Sequence, residues 1–209
     1  MSDEFDSKPP RYKLLNGSDL AQLPPLIWLV KGVLPSTGIA GIYGPSGSGK
    51  SFLCLDLAIS IANGKSWFGR RVRIAPVVYA ALEGEAGFKQ RVDAWENHYG
   101  QQLPENLHFM LQPFKLPTDE DAEEFAKVLP NGCVVFIDTL NRAAPTSDEN
   151  NSKDMGTLIE AAKRLQALTE VLVHHTGKNA SAGLRGHSSL IAAFDEAIEV
   201  SRDGDSRQW

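Results

Sequence analysis

At 209 residues the chain has room for one sizeable core and little for a second domain. Its composition, 42% hydrophobic and 22% charged, is that of an ordinary soluble globular protein, and no apolar run approaches the ~20 residues that a bilayer demands, which predicts a cytoplasmic protein with no membrane partner. A net charge of −5 excludes a surface that attracts nucleic acid everywhere, so any such contact must come from a local basic patch.

The opening "MSDEFDSKPP" is acidic, ends in paired prolines and lacks the basic-then-apolar order of a secretion signal, so residues 1 to about 12 read as a disordered tail. In "PPLIWLVKGVLP" (24–35) prolines fence an apolar knot, Ile27 to Val30. The knot fits either an edge strand of this domain or a segment that docks on a neighbouring subunit, with docking, alone or mixed with the strand role, preferred. Residues 1–37 are therefore set apart as tail and docking segment, and 38–209 as the main domain.

From Gly38 the pattern becomes regular. "GIAGIY" predicts a short buried strand, Gly44 to Lys50 a loop, and "SFLCLDLAISIA" a helix buried nearly all round that stops at Asn63–Gly64. A strand follows over 77–82, then a helix with Phe88, Val92, Trp95 and Tyr99 on one face, ended by Gly100. "LHFML" (107–111) reads as a third strand, and Thr118 with Asp121 forms a capping-box signature ahead of Ala122, Phe125, Ala126 and Leu129. "CVVFID" is an apolar strand ending in a carboxylate. The polar loop "TLNRAAPTSDENNS" leads to a helix whose Met155, Leu158, Ile159, Ala162, Leu165 and Leu168 share a face. "EVLVHH", the Gly-rich loop "TGKNASAGLRGHSS" and a last strand "AIEVSR" complete the chain. Cys54 and Cys133 sit inside apolar runs and read as buried small hydrophobes of a reducing compartment.

Strands apolar on both faces, alternating with helices, predict an α/β fold: a three-layer, mainly parallel twisted sheet flanked by helices. Ligands of such sheets sit beyond the carboxyl ends of the strands. Four polar features fall there: the loop from Gly44, Glu83, Asp138, and the pair His174–His175.

Gly44-Pro45-Ser46-Gly47-Ser48-Gly49-Lys50-Ser51 fits G-x-x-x-x-G-K-[ST], and with Phe52 it forms the predicted nucleotide-binding set. Glycines let successive backbone N–H groups turn inward around an anion, helped by the positive end of the following helix. Lys50 is expected to reach the β- and γ-phosphates of ATP, Ser51 to ligate Mg²⁺, and Asp138 to hold the metal through water. Glu83, the first polar residue after its strand, is the candidate acceptor of a proton from attacking water; Glu85 is its rival, better suited to open a helix. Strand alternation points His174 and His175 in opposite directions, and His175, nearer the following loop, is the candidate to face the γ-phosphate.

Residues 38 to 203 resemble the RecA-type phosphate-loop ATPase fold, and in particular the RepA-like hexameric helicases of plasmids and phages with the AAA-type ATPase domains grouped with them. The resemblance rests on "GIYGPSGSGKS", "VVYAALEG", "VVFIDTLNRA", "DENNSKDM" and "VLVHHTGKNASAGLRGHSSLIAAFDEAIEV". It implies ATP hydrolysis at the interfaces of a ring-shaped homo-oligomer, typically a hexamer, with Glu83 as catalytic glutamate and His175 as the sensing residue. It also implies single-stranded DNA as a partner, facing the loops after Asp138 and His175, where Arg142, Lys178 and Arg185 supply positive charge and no aromatic offers stacking. An arginine finger from the neighbouring subunit is expected in such motors, and Arg185, Arg202 and Arg207 are its candidates. Against the family's pattern, "SRDGDSRQW" is expected to stop short of the family's last hairpin, as in a C-terminally truncated or a short variant, and no separate DNA-binding domain is expected.

Two other classes fit parts of the pattern. A small-molecule kinase needs an arginine-rich lid, and 139–152 holds Arg142 alone. A regulatory nucleotide switch that moves nothing shares all the motif chemistry.

Overall fold

A six-stranded, wholly parallel sheet organises the chain, and every site feature hangs from one of its edges. The computed structural model describes residues 12–148, 151–176, 188–204 and 206–209. In chain order the elements begin with a short helix α1 (Gly17–Ala21) and a small antiparallel pair, β1 (Trp28–Val30) with β2 (Leu34–Pro35). The repeating part follows as β3 (Gly38–Gly44), α2 (Lys50–Asn63), β4 (Val77–Ala81), α3 (Glu85–Tyr99), β5 (Leu107–Met110) and α4 (Asp119–Val128). Then come β6 (Val134–Asp138), α5 (Leu140–Ala143), α6 (Ser152–Lys163), β7 (Thr169–His175), α7 (Ser188–Ile191) and β8 (Glu196–Glu199). A hairpin, β9 (Ser201–Asp203) with β10 (Ser206–Gln208), follows.

The strand order β5-β4-β6-β7-β3-β8 follows from residue chemistry. The central strands β4 and β6 are buried at every position, as residues covered on both faces must be. The outer strands differ: β5 and β8 alternate or fade toward solvent, and β8 carries Glu196 and Glu199, charges that discourage further pairing. Period-two alternation splits the core in two. Ile42, Tyr79, Phe136 and Val171 face α2 and α3, while Ile39, Val78, Val135 and Leu172 face α4 and α6. Three layers result.

Most predicted elements lie within a residue or two of their expected bounds. Three differ for physical reasons. α6 ends at Lys163, and with Gln166 at φ 53 the chain turns away, so Leu168, expected on the face of Met155 and Leu158, packs against the opposite core. The capping box expected at Thr118 is not made: Thr118 is the N-cap but its side chain caps nothing, and Asp121 instead accepts from the backbone N–H of Lys115 at 2.8 Å. The turn before α4 approaches close enough to take the carboxylate that the helix would have used. The apolar knot divides: Leu29, Val30, Val33 and Leu34 are buried in this chain's own core, whereas Leu26 and Ile27 remain outside it. β1 is tied inward on its other side as well, with Lys31 N–H donating to Arg71 O and Arg73 N–H to Leu29 O. No described helix is long and apolar enough to cross a membrane.

Candidate active site

The loop from Gly44 to Lys50 leaves β3 between β7 and β8 and turns into α2. Glycine is demanded at its two ends. A Cβ at Gly44 would lie 2.1 Å from the backbone oxygen of Val200, because the chain leaving β8 crosses against the loop there. Gly49 caps α2 at φ 100, in the left-handed region that other residues enter only with strain. α2 then starts with Lys50 itself, so its first N–H groups face the cradle.

Lys50 is buried, and its ammonium donates to the backbone oxygens of Gly44 at 2.9 Å and Pro45 at 2.8 Å. Its Nζ also stands 3.1 Å from His175 Nδ1 at the end of β7. The other ring nitrogen of His175, Nε2, lies 3.1 Å from Glu83 Oε2, just past β4. Since an ammonium can only donate and a carboxylate can only accept, this chain of contacts assigns the imidazole proton to Nε2. Thr139, just past β6, donates its hydroxyl to the same Glu83 oxygen at 3.1 Å. Three strands thus deliver Glu83, Thr139 and His175 to the phosphate loop.

Charge at the site follows from these contacts. Burial lowers the Lys50 pKa, opposed by the negative charges of Asp138 and Glu83. Burial pushes Glu83 up, but hydrogen bonds from His175 and Thr139, with the positive charge of Arg142, outweigh it and hold the carboxyl below its ordinary value. Glu83 is therefore an anion ready to accept a proton at neutral pH.

Asp138 ends β6 almost wholly buried. Tyr79, its neighbour across the β4–β6 pair, donates a hydroxyl to Asp138 Oδ2 at 2.7 Å, while Oδ1 has no partner among the described residues. A buried carboxylate oxygen without a donor, on the residue before Thr139, which lines the same cleft as Ser51, fits a hydrated divalent cation. Mg²⁺ is usually held by one or two protein oxygens, waters and substrate phosphates, a role that Ser51 and Asp138 could share.

The two histidines diverge as alternation requires. His174 is buried on the α6 face beside Leu140, Met155 and Leu158, and His175 lines the cleft. Ser46, Gly47, Gly49, Lys50, Ser51 and Phe52 line that cleft too, whose volume is about 600 Å³. Ser48 instead turns inward and is buried. Arg142 sits on α5 near enough to Glu83 to act on its charge. Lys178 and Arg185 lie outside the described residues, as do the side chains of Glu85 and Arg207. Arg202 donates to Gly204 O within its own hairpin.

Several site residues escape a reading of the sequence. Tyr79 carries a signal, a hydroxyl in an otherwise apolar strand, two residues before Ala81, the residue that pairs with Asp138. Thr139 follows Asp138 directly, inside a stretch that reads as polar loop. Arg91, Phe68 and Trp209 line the cleft from distant segments, and no local pattern announces them.

The family model described as AAA domain matches residues 7–181. No curated protein matches the sequence significantly. Among solved structures, one described as an ATPase domain is similar at a TM-score of 0.56 and 14% sequence identity, over 82% of this chain and 73% of that one. At that identity the likeness concerns the fold, which is RecA-like.

Proposed function

Because this chain belongs to the AAA domain family, a family of phosphate-loop ATPases, we propose that it is a Mg²⁺-dependent ATPase that works as a ring-shaped homo-oligomer. The ring is of the RepA-like helicase type, six subunits acting on single-stranded DNA in plasmid or phage replication or repair. The observation that carries the hydrolytic reading is the continuous link from Lys50 through His175 to Glu83, with contacts of 3.1 Å each. A bound triphosphate would take the ammonium of Lys50 away from its two backbone oxygens and from His175. Water lined up on the γ-phosphorus then loses its proton to Glu83 as its oxygen forms the new P–O bond. The bond from that phosphorus to the β–γ bridging oxygen breaks, leaving ADP and phosphate. When bound, Mg²⁺ supplies charge neutralisation for the phosphate oxygens; Ser51 and Asp138 are the residues that would hold it. His175, released or recaptured as the phosphate comes and goes, is placed to report hydrolysis to the loop that follows β7.

The oligomeric reading draws on the surface before the core. α1 has no buried residue, and Leu14, Leu20, Leu23, Leu26 and Ile27 are all exposed along one stretch of chain. A run of apolar side chains uncovered in one subunit suits a neighbouring copy. DNA contact is supported by Arg142 on the exposed side of α5, at the sheet edge where hydrolysis occurs. A nucleotide switch that moves nothing is the alternative.

The test is molecular mass in solution with and without a non-hydrolysable ATP analogue, joined to ATPase rates with and without single-stranded DNA. Nucleotide-dependent assembly and a DNA stimulation that fades as salt rises are expected. A monomer under both conditions would overturn the ring, and a rate indifferent to DNA would favour the switch.

A further inference from the structure

The cleft that the phosphate cradle lines is also lined by three aromatic rings. Phe52, Phe68 and Trp209 line it and are 55%, 61% and 42% exposed, an unusual concentration of uncovered rings around a single opening. Phe52 and Asp56 lie four residues apart on α2 and so share the face that continues from the cradle. Asp56 accepts from the buried indole of Trp67 at 3.0 Å, which fixes that ring at the floor. Trp67 then supports both neighbours, its ring centroid 4.9 Å from Phe68 and 4.6 Å from Trp209, while Phe68 and Trp209 stand 5.1 Å apart.

The backbone beneath Phe68 is informative. Trp67 and Arg70 exchange both backbone hydrogen bonds around Phe68 and Gly69, which have φ 46 and φ 75. That is a two-residue turn with both central residues left-handed, where Asn-Gly or Gly-Gly is the easy choice. A bulky ring held at such a position, exposed and facing a cleft, points to a task outside the fold's own stability.

We propose that Phe68 and Trp209 form the platform on which the base of the bound nucleotide stacks, with Phe52 closing the side nearest the phosphates. The inference rests on the nucleotide reading above and specifies the other half of the ligand. Every nucleobase offers a π-face to stack, and a larger ring system covers more of the platform, so the site ranks purine nucleotides above pyrimidine nucleotides. Triphosphate binding at the loop and base binding at the platform are then separable contributions from different residues of one cleft.

Calorimetric titration of the full chain with ATP, CTP and inorganic tripolyphosphate, each with Mg²⁺, tests this. The unaltered chain should bind ATP more tightly than CTP, and both more tightly than tripolyphosphate. Phe68→Ala and Trp209→Ala should weaken ATP binding about five- to hundredfold while leaving tripolyphosphate binding unchanged, and Trp209→Phe should retain ATP affinity. Unchanged ATP affinity in both alanine variants would overturn the platform, as would an equal loss for ATP and tripolyphosphate, since that pattern belongs to a merely structural role. ATP bound no better than tripolyphosphate by the unaltered chain would overturn the platform and leave the phosphate loop standing. Failure of the unaltered chain to bind either ligand would overturn the nucleotide reading itself, and this is seen before any variant is made.

Discussion

Tyr79 and Asp138, on adjacent strands, share a buried hydrogen bond of 2.7 Å that holds one carboxylate oxygen and leaves the other open. Tyr79 is itself pinned, stacked on Phe136 at 5.5 Å with the rings 7° apart. Burial, and after it the charge of Asp138, raises the phenol well above its ordinary pKa, so it stays a donor. Tyr79→Phe keeps the stacking and removes the donor. A buried carboxylate oxygen stripped of its partner costs about 1–3 kcal/mol, read as a lower denaturation midpoint. An unchanged midpoint would mean that water already serves Asp138.

His175 joins the Lys50 ammonium to the Glu83 carboxylate, and its removal should separate binding from turnover. In His175→Ala, kcat is expected to fall about 10²-fold, the scale of losing one oriented donor at a reacting phosphate, with KM for ATP little changed. The pH profile adds a signature that mere loosening would not give. Glu83 is held below its ordinary value of 4.5 in part by the His175 hydrogen bond, so its protonation limits activity only below that pH. Losing this bond raises the Glu83 pKa and moves the acid limb to higher pH. Steady-state kinetics across acidic pH would show it.

Glu170 lies on β7 in the strand that ends at His175, buried, with Asp195 nearby. Burial pushes its carboxyl up to about 7. Above an unfolded value near 4.5 the unfolded chain has lost this proton while the folded chain keeps it. Stability from this group is therefore complete below about pH 4.5 and lost as pH rises through about 7, a change on the order of 3 kcal/mol. Glu170→Gln should flatten that part of the stability curve and make the protein more stable than the unaltered chain at about pH 8. Parallel curves from urea denaturation would contradict the assignment.

The sequence is legible where chemistry is local. Apolar strands such as 134–138 and the left-handed glycines at 64 and 100 announce elements from a few residues each. Gly44 to Ser51 announces a phosphate cradle, and the order of strand ends places Glu83, Asp138 and His175 on its rim. What escapes depends on tertiary approach. Asp121 takes Lys115 over Thr118 because of how the preceding turn folds back. Leu29 and Val30 go inward because residues 71–73 offer their backbone to β1. Trp209 meets Trp67 from the far end of the chain, a separation no periodicity spans.

The most direct measurement is Mg²⁺-dependent ATP turnover by Glu83→Gln beside ATP affinity of the same variant. Glutamine keeps the shape and an acceptor oxygen for His175 but cannot take the proton from water. The expected result is turnover lower by about 10²–10⁴-fold with ATP affinity preserved. Turnover equal to that of the unaltered chain would contradict the assignment of Glu83 as the proton acceptor.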